Sequence, residues 1–178
     1  MKNRLVFAAL AIVAFGIAWM ASRIRCTETY AYRRGQMDAG RLGPISLSII
    51  PTSYSSKNPL IGLARTTYSS PYKVEIWCRQ SCKIDKVGPI TFEPKGSSKP
   101  AVLVSGATVE AVAKFKTPWF VTLAERPSLD YVDYEVSFHM IVSDEHARSN
   151  EEVVHLTVSR DFKRVWSNDI VVALKSGA

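Results

Sequence analysis

Residues 134–158 read YEVSFHMIVSDEHARSNEEVVHLTV. Apolar side chains fall at Tyr134, Val136, Phe138, Met140 and Val142, with Glu135, Ser137 and His139 between them. A period of two marks a strand with one buried face, because successive side chains point to opposite sides of a sheet. Val154, Leu156 and Val158 repeat the pattern after a polar interval. Together the runs predict an antiparallel hairpin centred on Ala147, with Phe138 opposite Leu156, Val136 opposite Val158 and Met140 opposite Val154. A slip by one residue would turn every apolar side chain to the wrong face.

The same grammar extends along the chain in both directions. Ile45, Leu47 and Ile49 alternate with serines up to Pro51, and a second run covers Leu60 to Tyr68. Ile90 and Phe92 precede Pro94; Ala101–Ser105, Val109–Phe115, Trp119–Leu123 and Ile170–Leu174 follow. Roughly nine or ten short strands divided by Pro, Gly and Ser predict an all-β fold, an antiparallel β-sandwich that is immunoglobulin-like or a small barrel. The stretch Asp130-Tyr131-Val132-Asp133-Tyr134 has the Asp and Tyr spacing of a tyrosine corner, without that motif's small residue or second cysteine. It hints at fold and marks no family.

The chain has three cysteines, Cys26, Cys78 and Cys82. Tyr72, Val74, Ile76 and Cys78 alternate before Arg79-Gln80-Ser81, and Cys82, Ile84 and Val87 continue after it. A hairpin with this three-residue loop would set Cys78 opposite Cys82 at a Cα separation a disulfide tolerates. The spacing is C-x3-C, not the C-x2-C of thioredoxin-like redox motifs, so the expectation is a structural disulfide. Cys26 is the odd thiol and a possible link between two copies.

At the other end, Leu5–Ala21 reads LVFAALAIVAFGIAWMA, 17 residues without a charge. Lys2 and Arg4 precede it, Arg23 and Arg25 follow, and Trp19 lies at its far edge, where an indole suits a membrane interface. Residues 1–21 therefore read as one N-terminal transmembrane signal anchor, or as a signal peptide cleaved before Trp19 that would release a soluble periplasmic protein. Residues 22–44 read as a basic juxtamembrane stalk, and residues 45–178 as the β-sandwich domain. Arg23, Arg25, Arg33, Arg34 and Arg41 outnumber the cations ahead of the segment, which by the loop-charge rule favours a cytosolic body. The cysteine pair and the signal-like order favour export. The expectation is a single-pass inner-membrane protein with its C-terminal domain extracytoplasmic, in the periplasm.

Charge is uneven. Ser22–Lys116 holds 15 Lys/Arg and 6 Asp/Glu, whereas Thr117–Ala178 holds 6 and 10, so a basic front half meets a mildly acidic back half. A basic patch near a membrane suits anionic head groups. Nucleic acid is not an expected partner, since no Arg-rich helix or aromatic-basic module is present.

Chemistry is sparse. The catalytic and nucleotide-binding signatures G-x-S-x-G, H-E-x-x-H, G-x-G-x-x-G and the P-loop are absent. In the predicted hairpin His139 faces His155, a two-imidazole candidate for a metal, although a site needs further ligands. Trp77 and Arg79 fall on the polar face of their strand and form a candidate binding surface. No cofactor is expected. The expected role is binding: an accessory domain engaging an envelope protein or an anionic surface. The alternatives are a periplasmic inhibitor or immunity-type protein, and a hydrolase or metal-binding protein without a recognisable signature.

Overall fold

The computed structural model describes residues 2–38, 44–57, 64–78, 82–108, 119–143 and 149–168. Among these residues one helix, α1 (Lys2–Ser22), leads into twelve strands. They are β1 (Ile24–Tyr32), β2 (Gly35–Asp38), β3 (Pro44–Lys57), β4 (Ala64–Trp77), β5 (Lys83–Val87) and β6 (Ile90–Pro94). After these come β7 (Val102–Val104), β8 (Ala107–Thr108), β9 (Phe120–Thr122), β10 (Tyr134–Ser143), β11 (Ser149–Val158) and β12 (Arg160–Asn168). They form two six-stranded sheets: one runs β12-β1-β4-β3-β2 with β9 also on β4, the other β7-β6-β10-β5-β8 with β11 also on β10. Among the described residues neither sheet closes into a barrel.

By its contacts the chain divides into two compact units. The first comprises residues 1–29, 54–68 and 163–178; the second comprises residues 30–53 and 69–162.

The second unit holds the hydrophobic core. Ile45, Leu47 and Ile76 from one sheet and Phe92, Phe138 and Val154 from the other are at most 2% exposed. Period-2 patterning explains this directly: along β10, buried residues alternate with exposed or half-buried ones from Tyr134 to Ser143. A cluster of tyrosines closes one side of the core. Tyr32 and Tyr72 meet edge to face at 5.3 Å, the Tyr32 hydroxyl donates to the Asp130 carbonyl at 2.5 Å, and the Tyr72 hydroxyl donates to the Tyr30 carbonyl at 3.0 Å. The Asp130 amide donates to the Tyr134 hydroxyl at 3.1 Å. Burial, then neighbouring tyrosines, push the Tyr72 phenol up to about 12 and Tyr32 further in the same direction. Gly106 has no room for a side chain: a Cβ there would lie 2.0 Å from the Val87 carbonyl oxygen.

The first unit is built differently. Among its described residues only Cys26 and Glu28 are buried. β1 pairs in parallel with the start of β4, from Arg25 opposite Ala64 to Thr29 opposite Tyr68. Within α1, Phe7, Ile12 and Phe15 are each more than 70% exposed.

Three expectations change. The 22–44 stretch expected as a stalk contains two strands, β1 and β2. Cys26, Glu28 and Tyr32 share β1's buried face, and a charged residue at an inward position hides the alternation from a reading based on polarity. The cysteine hairpin is not formed: β4 belongs to one sheet and β5 to the other. The β10–β11 register is displaced by two residues, pairing Val136 with Leu156 and Phe138 with Val154. An even displacement keeps the same faces buried. Among the described residues no helix is long and apolar enough to cross a membrane, so the structure does not by itself support the transmembrane expectation. The charge-free run of α1 is 17 residues, about 25 Å at 1.5 Å per residue, against a hydrocarbon core of about 30 Å. The strands expected at 109–115 and 170–174 lie outside the described residues, and β12 was not anticipated, because its exposed residues on both faces leave no period-2 signal.

Candidate functional site

Three places were singled out by sequence, and the structure treats each differently. Cys78 and Cys82 are both buried, and no disulfide joins them, contrary to expectation. The opposed-strand geometry that would have joined them is missing. Instead the Cys78 Sγ donates to the Cys82 carbonyl at 3.0 Å. The two thiols also share a hydrogen bond that pushes Cys78 up and Cys82 down, so Cys82 is the more readily ionised. Cys26, at 2% exposure, could join two copies only if β1 opened.

His139 and His155 do not face each other. His139 pairs with Val153 and His155 with Ser137, a consequence of the register displacement. His139 Nδ1 instead lies 3.5 Å from Glu151 Oε1. His155 lines a groove of about 330 Å³ on the outer face of β6, β10 and β11 with Glu93, Glu135, Ser137 and Thr157. Glu93 and Glu135 are direct cross-strand neighbours there. Among the described residues no three His, Cys, Asp or Glu side chains gather as a metal site would need.

Trp77 is half-buried rather than outward. Its ring stacks on Phe120 at 4.8 Å and meets Trp119 at 5.1 Å, while the Arg34 guanidinium lies over it at 5.5 Å. The pairing of β4 with β9, Trp77 opposite Phe120, brings these rings together. Arg79, its expected companion, lies outside the described residues.

A fourth place was missed. Glu28, 2% exposed, accepts hydrogen bonds from Arg65 Nε at 3.0 Å and Arg164 Nε at 3.1 Å, and a second Arg65 nitrogen also bonds it. The three residues sit on β1, β4 and β12, which are adjacent strands. The side chains of both arginines remain half exposed, at 51% and 50%, so the guanidinium groups themselves shield the carboxylate from water. The Arg65 hydrogen bond, ahead of an opposing desolvation, holds the Glu28 carboxyl below the usual range. No sequence signal links Glu28 to arginines 37 and 136 positions away.

These arginines belong to a wider asymmetry. The first unit carries nine Lys/Arg and two Asp/Glu, a net +7; the second carries fourteen of each and is neutral. Among the described residues eighteen large apolar side chains stand exposed, and fourteen of them are in the first unit, including Phe7, Ile12 and Phe15 of α1, Tyr54, Tyr68, Val165 and Trp166. Cations and exposed apolar side chains thus occur in the same unit, whereas the second unit has a buried apolar core and equal numbers of cations and acids.

No family model, curated protein or solved structure matches the chain.

Proposed function

We propose that this protein is a membrane-tethered binding module. α1 is inserted in a lipid bilayer, and the all-β body, a β-sandwich of immunoglobulin-like kind, is presented on the extracytoplasmic side to engage a protein partner of the envelope. The observation that carries the reading is the concentration of exposed apolar side chains in the unit that contains α1. Water penalises such a surface at about 25 cal/mol per Å² of apolar area, and lipid removes the penalty. The apolar residues lie on every face of the helix, unlike an amphipathic helix lying in the membrane plane. Snorkelling of Arg4 and Arg23 covers the few ångströms by which the apolar run is short. Trp19, with the Arg23 guanidinium over its ring at 5.3 Å, sits at the interface. Binding rather than catalysis is favoured by the absence of any recognised catalytic signature in the chain.

Flotation with phosphatidylcholine vesicles tests the tether on the full-length chain. The parent is expected to float. Ile12→Arg places a charge mid-helix at about 3 kcal/mol, and is expected to lower partitioning roughly a hundredfold. A parent that stays in the aqueous fraction, or a variant that floats equally well, contradicts the reading. Thiol labelling of intact cells and of opened ones then reports the side on which the body lies.

A further inference from the structure

We propose that the outer edge of β11 is a self-association surface, where two copies of this chain pair antiparallel about a two-fold axis at Val153 and join their β11-containing sheets into one. Pairing of this kind does not depend on α1 lying in lipid.

Among the described residues β11 pairs with β10 alone, which makes it an edge strand. The bonding pattern of β10 shows which backbone groups of β11 face outward. The Lys95 amide donates to the Asp133 carbonyl and the Gly88 amide to the His139 carbonyl, both at 2.8 Å, so odd-numbered residues along β10 bond towards β6 and β5. The bonding side alternates along an antiparallel strand, which turns the even-numbered residues of β10 towards β11. Their partners are even-numbered too, from Val142 opposite Asn150 to Tyr134 opposite Val158. The N–H and C=O groups of Ser149, Glu151, Val153 and His155 therefore point away from β10. Ser159, in the same phase, shows this directly, because its carbonyl accepts from the Arg33 amide at 2.8 Å. That bond, and Gly35 packed against Leu156 and Val158, occupy the far end of the edge. Over residues 149–155 no described backbone group bonds the outward positions, and Val153 is 47% exposed.

Open edge groups are a template for another strand, and acidic side chains such as Glu151 and Glu152 ordinarily deter one. Registers centred on Glu151 or Glu152 do set like charges opposite each other. A centre between two residues opposes outward-bonding groups with inward-bonding ones and makes no ladder. A two-fold axis at Val153 avoids both faults. It sets Val153 opposite its own copy, Glu151 opposite His155 and Glu152 opposite Val154, so carboxylate meets imidazole twice and no two acids meet. Side chains directly opposite lie about 4.5–5.5 Å apart at Cβ, where such pairs stabilise a sheet. Glu151 Oε1 already lies 3.5 Å from His139 Nδ1 of its own sheet, so the second imidazole would face the first across the carboxylate. The outward groups of Glu151, Val153 and His155 then form about six ladder hydrogen bonds between the copies. The edge is complementary to itself in both charge and bonding phase, which is the argument for a second copy as its occupant.

Sedimentation equilibrium of the full-length chain in dodecyl maltoside micelles is expected to show a monomer–dimer equilibrium. Val153→Pro removes an outward N–H and none from the β10 ladder, a change that edge strands tolerate, and is expected to abolish the dimer. Glu151→Lys turns two symmetric cross-strand pairs from favourable to unfavourable and is expected to weaken association about tenfold. Adding His155→Glu to Glu151→Lys is expected to restore it, so the test does not hang on how Val153→Pro folds. Oxidative trapping reads the register. Val153→Cys is expected to give a covalent dimer, since its Cα atoms would face each other at about 5.5 Å, within reach of a disulfide. Glu151→Cys is expected to give none, because its copies would lie at least about 13 Å apart. A chain that stays monomeric throughout overturns the proposal. So does a dimer that survives Val153→Pro, or one that is trapped equally at both positions, since either is held elsewhere, as one joined through α1 would be.

Discussion

The two units of this chain solve opposite problems with the same residue types. In the second, large apolar side chains are buried by alternation along strands such as β10, and fourteen cations meet fourteen acids. In the first, the only described buried residues are Cys26 and Glu28, the apolar side chains face outward, and cations outnumber acids by nine to two. A core excludes water by closing on itself. Exposed apolar groups on one unit are what the proposed membrane tether requires.

The contrast is broken most easily by mutation on either side of it. Phe138→Ala, in the second unit's core, is expected to lower unfolding free energy by about 3–5 kcal/mol in urea titrations. If the loss is under about 1 kcal/mol, the second unit is not a close-packed core. Gly106→Ala forces a Cβ against the Val87 carbonyl and is expected to cost about 1–3 kcal/mol. Tyr32→Phe removes the hydroxyl that reaches the Asp130 carbonyl and is expected to cost about 1 kcal/mol.

Tyrosine ionisation sharpens the comparison at high pH. Tyr32 and Tyr72 are raised in the fold, so the unfolded chain loses these protons first. Their contribution is complete below the ordinary tyrosine value near 10 and declines as pH rises from there towards about 12. Thermal melts of Tyr72→Phe are expected to show a shallower alkaline decline than the parent. An unchanged slope would mean that the hydroxyl titrates as freely as in water.

In the first unit the corresponding lever is acidic. The Glu28 carboxyl is lowered by its arginines, so its contribution is full above the ordinary value of 4.5 and is lost as pH falls below it. Glu28→Gln is expected to lower the melting temperature at neutral pH, with the gap to the parent closing in acid. Asp133 and Glu125 are also lowered, chiefly by backbone N–H donors, and retain part of the acid sensitivity in the variant. A gap constant from neutral to acid pH would show that the triad carries no charge-dependent stability. The smallest effect belongs to Trp166→Ser, expected within about 0.5 kcal/mol of the parent in water, because the residue packs little when no lipid is present.

Period-2 alternation made most of the second unit legible, since burial on one face is written directly into the order of residues from Tyr134 to Val158. The exact partner of each residue was less legible. Loop length fixes register, and displacements of two leave the pattern satisfied while moving His139 away from His155. Sheet membership was hidden too. Cys78 and Cys82 look like a hairpin because local spacing says nothing about which sheet receives each strand. Glu28 was least legible: an inward carboxylate breaks the pattern, and its two arginines come from distant segments.

Hydrogen–deuterium exchange on the full-length chain, with and without phosphatidylcholine vesicles, tests most directly whether the first unit's apolar surface belongs in lipid. Peptides from residues 5–21 are expected to exchange far more slowly with vesicles present, while peptides from β10 and β11 exchange equally in both conditions. Equal exchange of residues 5–21 with and without vesicles would contradict it.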